Sequence, residues 1–172
     1  AEDETAWASP SAKLKKQQEE EKFKLLPEIL QQLLATSAAD LIWSPRENKV
    51  LYTATASASI PDNLIKQLPG SNTQPQSRQI YPNITYVYDL EEDRNFKVPK
   101  SRWMPDSNHL FYVEKNKIHI VEYDGTNDVV VYAGPMADTT AFPYPSGKQI
   151  LILTNLSPAT SKVNNLYAVS LR

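Results

Sequence analysis

From about residue 41 onward, short apolar runs alternate with clusters of polar, turn-forming residues. This is the spacing of strands joined by tight connections. The runs predict strands over 50–54, 85–90, 96–98, 110–114, 118–123, 129–133, 150–154 and 166–171. Several carry the β-branched and aromatic residues that fit a pleated surface, as in Thr85-Tyr86-Val87-Tyr88-Asp89-Leu90. Lys115-Asn116 and Asp124-Gly125 sit between apolar runs as turns, the second with the residue pair typical of hairpins. The first 40 residues read differently. Residues 4–9, around Trp7, suggest a lone strand, and Ser9-Pro10 a helix start with serine as cap and proline at the first helical position. Residues 13–24 carry five lysines and three glutamates, the pattern of a solvated helix. Their apolar face (Leu14, Phe23, Leu25) is too thin for a membrane-surface helix. After Pro27, the residues Ile29, Leu30, Leu33 and Leu34 form one helical stripe, which predicts a short helix packed on the strands.

The strands repeat. Trp43-Ser44-Pro45-Arg46-Glu47-Asn48-Lys49-Val50-Leu51-Tyr52 is matched by Trp103-Met104-Pro105-Asp106-Ser107-Asn108-His109-Leu110-Phe111-Tyr112. A third copy reads Pro143-Tyr144-Pro145-Ser146-Gly147-Lys148-Gln149-Ile150-Leu151-Ile152. Strands 85–90, 118–123 and 166–171 align in the same way. The motif starts lie 60 and 40 residues apart, and about 40 residues is a usual β-propeller blade. The predicted fold class is therefore mainly β, a partial β-propeller of about three antiparallel blades with a short N-terminal helical segment. Its parts are an N-terminal strand and helical segment over 1–40 and propeller blades over 41–172, at about 41–98, 101–133 and 140–172. The first repeat is stretched by a connection over 56–82, rich in Pro, Ser, Asn and Gln. A loop of that length without structure of its own is usually functional or disordered. Three blades cannot close a propeller. The chain then belongs to a larger propeller, self-associates, or covers its open side with its N-terminal segment; the first is the reading adopted.

Composition narrows the function classes. At 172 residues the chain suits one domain with a real core. A net charge of −2 and a pI near 5.7 argue against a general nucleic-acid binder. Cysteine is absent, which removes disulfides and thiolate metal sites. No apolar run approaches the roughly 20 residues that span a bilayer. No signal peptide is visible, and the start at Ala1 rather than Met reads as processed or truncated. Four glycines against thirteen prolines leave little for a phosphate-cradling loop.

The motif pattern, Trp or Pro, then proline two residues on, then a polar turn and a strand ending in Tyr52, Tyr112 or Ile152, resembles the strand motif of TolB-like (PD40-type) propellers. More closely, residues 43–58, the Pro-Gly-Ser-Asn-Thr run over 69–73, Tyr86-Val87-Tyr88-Asp89, Glu122-Tyr123-Asp124-Gly125-Thr126-Asn127 and Leu166-Tyr167-Ala168-Val169-Ser170-Leu171-Arg172 resemble the C-terminal region of PEGA-domain proteins of candidate-phyla bacteria (Patescibacteria). The resemblance implies an outward-facing cell-envelope protein whose parent is membrane-anchored. Neither a membrane helix nor a PEGA segment is present in this chain.

Candidate chemistry is sparse. His109 and His119 lie ten residues apart, without the convergent ligands of a metal site, and read as structural. No G-x-S-x-G elbow, G-x-G-x-x-G turn or Walker loop occurs. Residues 124–128 hold Asp124, Asn127 and Asp128, but not at calcium-loop spacing, so a hairpin turn is the expectation. Glu91-Glu92-Asp93 reads as a solvated turn. Trp43 and Trp103 occupy equivalent repeat positions and are expected to pack between blades rather than to stack on sugars. Asn83-Ile84-Thr85 and Asn155-Leu156-Ser157 match glycosylation sequons, which carry little meaning in a bacterial protein. No catalytic, cofactor or metal-binding residue is assigned and no cofactor is expected; Tyr81 and Tyr144, with the loop over 56–82, are the ligand-binding candidates, because loops on rigid scaffolds carry function. The expectation is a non-enzymatic binding or scaffolding module with a protein or cell-envelope polymer as partner and no nucleic acid. The alternatives are an accessory propeller of a peptidase-like hydrolase and a glycan-binding module.

Overall fold

The computed structural model describes residues 14, 17–66, 72–136, 141–156 and 163–171. The strand expected over 4–9 and the helix start at Ser9-Pro10 lie outside them. The chain is mainly β with a short N-terminal helical segment, and its sheets are antiparallel, none closed into a barrel. Residues 17–23 are helical, and α1 (Glu28–Ser37) follows. β1 (Ala38–Trp43), β2 (Lys49–Ala54), β5 (Thr85–Asp89) and β6 (Arg94–Val98) form the first sheet, in that order. β7 (Arg102–Trp103), β8 (His109–Glu114), β9 (Lys117–Glu122) and β10 (Val129–Ala133) form the second. β11 (Ala141–Pro143), β12 (Gln149–Thr154) and β13 (Asn165–Ser170) form the third. Each sheet is a meander in which spatial neighbours follow one another among these strands.

The repeated motif is a repeated turn. The N–H groups of Glu47, Ser107 and Gly147 donate to the carbonyls of Ser44, Met104 and Tyr144, at 2.8, 3.3 and 2.8 Å. Proline occupies the second turn position in each case, where its fixed φ suits the turn. Glu47, Ser107 and Gly147 then take positive φ, at 61°, 65° and 70°. A turn followed by one left-handed residue closes a hairpin without splaying its strands. Only the third copy puts glycine at that position; Glu47 and Ser107 bear the steric cost of the left-handed region. The Lys115-Asn116 turn is of the tighter two-residue type, both residues at positive φ.

Alternating side chains give each sheet two apolar faces. In the first sheet, Val50, Tyr52, Ala54, Tyr86 and Tyr88 pack against Leu26, Leu30 and Leu34 of the helical segment and against Ile60 and Ile80. Leu51, Val87 and Val98, on the other face, meet Trp103, Leu110 and Val121 of the second sheet. The second sheet's far face (Phe111, Ile118) packs against Ala141, Ile150 and Ile152 of the third. The result is a row: helix, sheet, sheet, sheet. Trp103 serves between sheets as expected, and its indole N–H donates to the Ile42 carbonyl at 3.0 Å. Trp43 instead packs on the helix side of the first sheet.

Two expectations need correction. Ile29 is not in the buried stripe but 53% exposed, and Leu26, just before α1, takes its place. The helix turns about 100° per residue, so a stripe centred on Leu30 and Leu34 carries Ile29 out to solvent. The connection between β2 and β5 is also not without structure. Its ends pair as β3 (Ala58–Ser59) and β4 (Gln79–Ile80), and Ile60 and Ile80 are buried in the core. Further along, the Ser77 N–H donates to the Asn95 carbonyl and Asn95 Nδ2 to the Ser77 carbonyl, both at 2.6 Å. This segment covers the outer edge of β6, which would otherwise offer free strand groups.

Leu34, with no exposed surface, is expected to lose about 2–5 kcal/mol of stability on Leu34→Ala. Ile29→Ala is expected to stay near about 0.5 kcal/mol, as surface substitutions do. Urea denaturation of the two variants checks both values.

Candidate functional site

The three motif turns open β2, β8 and β12, and the segments that leave β5, β9 and β13 return beside them. Leu90, Tyr123 and Leu171 donate their N–H groups to the carbonyls of Asn48, Asn108 and Lys148, at 3.0, 2.9 and 2.8 Å. This is one end of each sheet, here called the motif rim. The first two turns touch: the Arg46 N–H donates to Ser107 Oγ at 2.9 Å. Gly125 sits where a Cβ would lie 2.7 Å from the Lys97 carbonyl oxygen, so only glycine permits this approach between the sheets.

The long connection leaves β2 at the opposite end, where the Asn83 N–H donates to the Ala54 carbonyl at 2.8 Å, and reaches the motif rim at Asn72. There the Asn72 N–H donates to Glu92 Oε2 at 3.0 Å, and its Nδ2 to Asp124 Oδ2 at 2.7 Å. One residue thus ties the connection to the first and second sheets. Arg78 anchors the return. Its guanidinium lies 3.0 Å from Asp93 Oδ2 and 3.3 Å from Asp62 Oδ1, and it also donates to the Asp93 carbonyl. Asp93 has no exposed surface, which corrects the expectation of a solvated turn at 91–93; only Glu91 is exposed there, and it accepts from Asn48 Nδ2 at 3.1 Å. The Tyr88 hydroxyl donates to the same carboxylate. Burial, followed by the hydrogen bond to Asp93, pushes the Tyr88 phenol far up, so it stays a donor.

A second buried charge pair sits beneath the rim. Lys49 Nζ lies 3.5 Å from Asp89 Oδ2, both nearly fully buried, and 4.5 Å from the centre of the Tyr123 ring. Asp89 Oδ1 also accepts from the N–H groups of Glu91 and Glu92, at 2.8 and 3.2 Å, which fixes the turn. Burial pushes the Tyr123 phenol up to about 12. Asp124 shows two opposing effects. Partial burial would raise its carboxyl, but hydrogen bonds from Thr126 and Asn72 hold it below the ordinary range. Asp124 and its neighbours form a turn, as expected, with Gly125 at φ 84° and the Glu122 N–H donating to the Thr126 carbonyl at 2.9 Å.

The two histidines each have a carboxylate partner, which their spacing did not suggest. His109 Nδ1 is 2.6 Å from Asp106 Oδ2 at the motif rim. His119 Nδ1 is 2.9 Å from Asp128 Oδ1, and its ring stacks on Tyr112 with centroids 4.6 Å apart. The Tyr112 hydroxyl donates to the other oxygen of Asp128. The cluster couples β8 and β9 to the residue before β10. No group of three or more metal-ligating side chains occurs among the described residues.

Tyr81 and Tyr144, the ligand candidates from sequence, are 52% and 46% exposed. They do not come together. Tyr81 lies at the end of the first sheet away from the motif rim, its N–H donating to the Tyr86 hydroxyl at 3.0 Å. Tyr144 lies in the third motif turn. A shared two-ring platform is therefore not formed. The surface that sequence reasoning passed over is the outer face of the third sheet, where Leu151, Leu153 and Leu166 face away from the second sheet and Phe142 stands at the edge, with the Arg102 guanidinium of β7 6.0 Å from its ring centre. Its signal was present in the unbroken Ile150-Leu151-Ile152-Leu153 run, which is apolar on both faces.

No protein-family model matches the chain, and no curated protein sequence matches it significantly. No described helix is long and apolar enough to cross a membrane.

The Asp124 carboxylate, held low, contributes stability that is present above the ordinary carboxylate range and lost as pH falls through its lowered pKa. Asn72→Ala is therefore expected to cost about 1 kcal/mol at pH 7 and clearly less at pH 2. Thermal melts of both proteins across that range check the sign.

Proposed function

We propose that the chain is a non-enzymatic binding or scaffolding module of a bacterial cell-envelope protein. In this reading the three meanders are blades of a TolB-like propeller region, as in the PEGA-domain proteins its motifs resemble, and they act on the extracytoplasmic face. The partner is a protein or a cell-wall polymer, met through the loops at the ends of the sheets. One observation carries this reading. The connection between β2 and β5 is fastened at Asn72, Ser77 and Arg78 to the first sheet and, at Asn72, to the second. A loop held in this way presents a preorganised surface, which lowers the ordering cost of binding. Tyr81, exposed at the end of that connection, is the aromatic contact in this reading.

The test is retention of the purified chain on insoluble peptidoglycan and, in parallel, cross-linking to envelope proteins. One of the two should capture the chain, and Tyr81→Ala should weaken that capture several-fold while leaving the melting temperature unchanged. Capture by neither, or capture indifferent to Tyr81→Ala and to replacement of residues 72–78 by a short linker, contradicts the reading.

A further inference from the structure

At the end of the first sheet away from the motif rim, the strands finish around a hollow. Thr53 and Thr85 are the last pair of β2 and β5, and Thr85 and Val98 the last pair of β5 and β6. A cavity of about 340 Å³ opens there, lined by Thr53, Asn83, Thr85, Lys97 and Lys100 among others. A second, of about 300 Å³, shares Thr53, Thr85 and Lys100 and runs on to Asp40 of β1 and Arg102 of β7. Together they make one crevice between the first sheet and the start of the second. Its cations are unpaired. Among the described residues, no carboxylate oxygen lies within 4.0 Å of the charged atoms of Lys97, Lys100 or Arg102, and none of the three donates a side-chain hydrogen bond. Arg102 has only the Phe142 ring, whose centre is 6.0 Å from its guanidinium. Lys49 and Arg78, by contrast, lie 3.5 and 3.0 Å from the carboxylates of Asp89 and Asp93. The crevice also holds a spare donor. Thr85 is 7% exposed, and its hydroxyl meets Thr53 Oγ1 at 3.4 Å. Each threonine brings one proton and their contact uses one at most, so one hydroxyl proton is left over.

We propose that this crevice is a binding site for a phosphate group, free or carried as a monoester. Charge selects the ligand. Lys97, Lys100 and Arg102 face a single carboxylate, Asp40, which leaves a surplus of two positive charges. A phosphate monoester carries about −1.5 to −2 charges near neutral pH, whereas a carboxylate carries one. A recess lined by one sign of charge concentrates its field, so the surplus draws the multiply charged anion more strongly. The donors fit as well. The two ammonium groups and the spare threonine proton can each meet a different phosphate oxygen, and bonds between ionised partners are the strong ones. Side chains rather than the backbone of a glycine-rich loop hold the anion here, and the sequence has no such loop. The crevice is bounded by strands of the first two sheets, so it is not a sheet face that awaits a neighbour. The proposal does not rest on the envelope reading, because phosphate can fill the crevice whether or not peptidoglycan or an envelope protein captures the chain.

Titration of the isotope-labelled chain with inorganic phosphate at constant ionic strength, followed by amide chemical shifts, tests it directly. Saturable shifts are expected at Thr53, Thr85, Lys97 and Lys100, with a dissociation constant on the order of 1 mM, the affinity that a single anion contact supplies. Glycerol phosphate, titrated in the same way, separates the two sources: tighter binding of the ester assigns the site to a phosphomonoester, and weaker binding assigns it to the free ion. The double variant Lys97→Gln, Lys100→Gln should weaken binding roughly tenfold, whereas Lys148→Gln at the motif rim should leave it unchanged. All three side chains are exposed, so the melting temperatures of both variants should match that of the intact chain. Shifts that do not saturate, that are no larger here than at Lys115 and Lys148, or that acetate reproduces at the same concentration overturn the proposal. Binding that survives in the folded double variant overturns it as well.

Discussion

Everything in this fold follows from sheets that are apolar on both faces. A meander with one polar face can end at solvent; in the first sheet Leu51 and Val87 back directly onto Tyr52 and Tyr86 along the same strands, so both of its faces need a cover. For the first two sheets the described residues supply both covers, in series. The leucines of the helical segment cover the first face, and each sheet then covers the next. This is the logic of stacked repeats, in which stability is the sum of each unit and its contacts with its neighbours.

That logic also explains where the polar chemistry lies. With both faces of the first sheet occupied, its buried ion pairs lie at the end of the sheet and at its outer edge. The buried pairs Lys49–Asp89 and Arg78–Asp93 stand at the motif rim and against β6. Their desolvation is offset by converging hydrogen bonds: turn N–H groups on Asp89, and a tyrosine hydroxyl on Asp93. Removing one partner of such a pair leaves an uncompensated charge; Arg78–Asp93 fixes the return of the long connection against β6, and Lys49–Asp89 joins β2 to β5.

Much of the strand layout was legible because each repeat writes the same turn: proline at the second position, then a residue that tolerates positive φ. The hairpin at Lys115-Asn116 and the limits of β10 followed from local chemistry alone. The long connection was less legible, because its order depends on contacts distant in sequence, such as Asn72 with Asp124 and Ser77 with Asn95. Asp93 looked like a surface residue for the same reason: its partner Arg78 lies in a segment whose composition suggests an unstructured loop. The carboxylate partners of the histidines were missed because cross-strand and turn geometry, not spacing, brings Asp128 to His119. Tyr81 and Tyr144, loop aromatics in the sequence, are both exposed, but the sheets hold them at different ends.

Amide hydrogen exchange on the dilute chain, resolved by strand, tests the two-cover account most directly, because protection reports local opening free energy. The account predicts the slowest exchange in β2 and β5, intermediate exchange in β8 and β9, and the fastest in β13, whose outer face has no cover among the described residues. Uniform protection across the three sheets, or a third sheet more protected than the first, would contradict it.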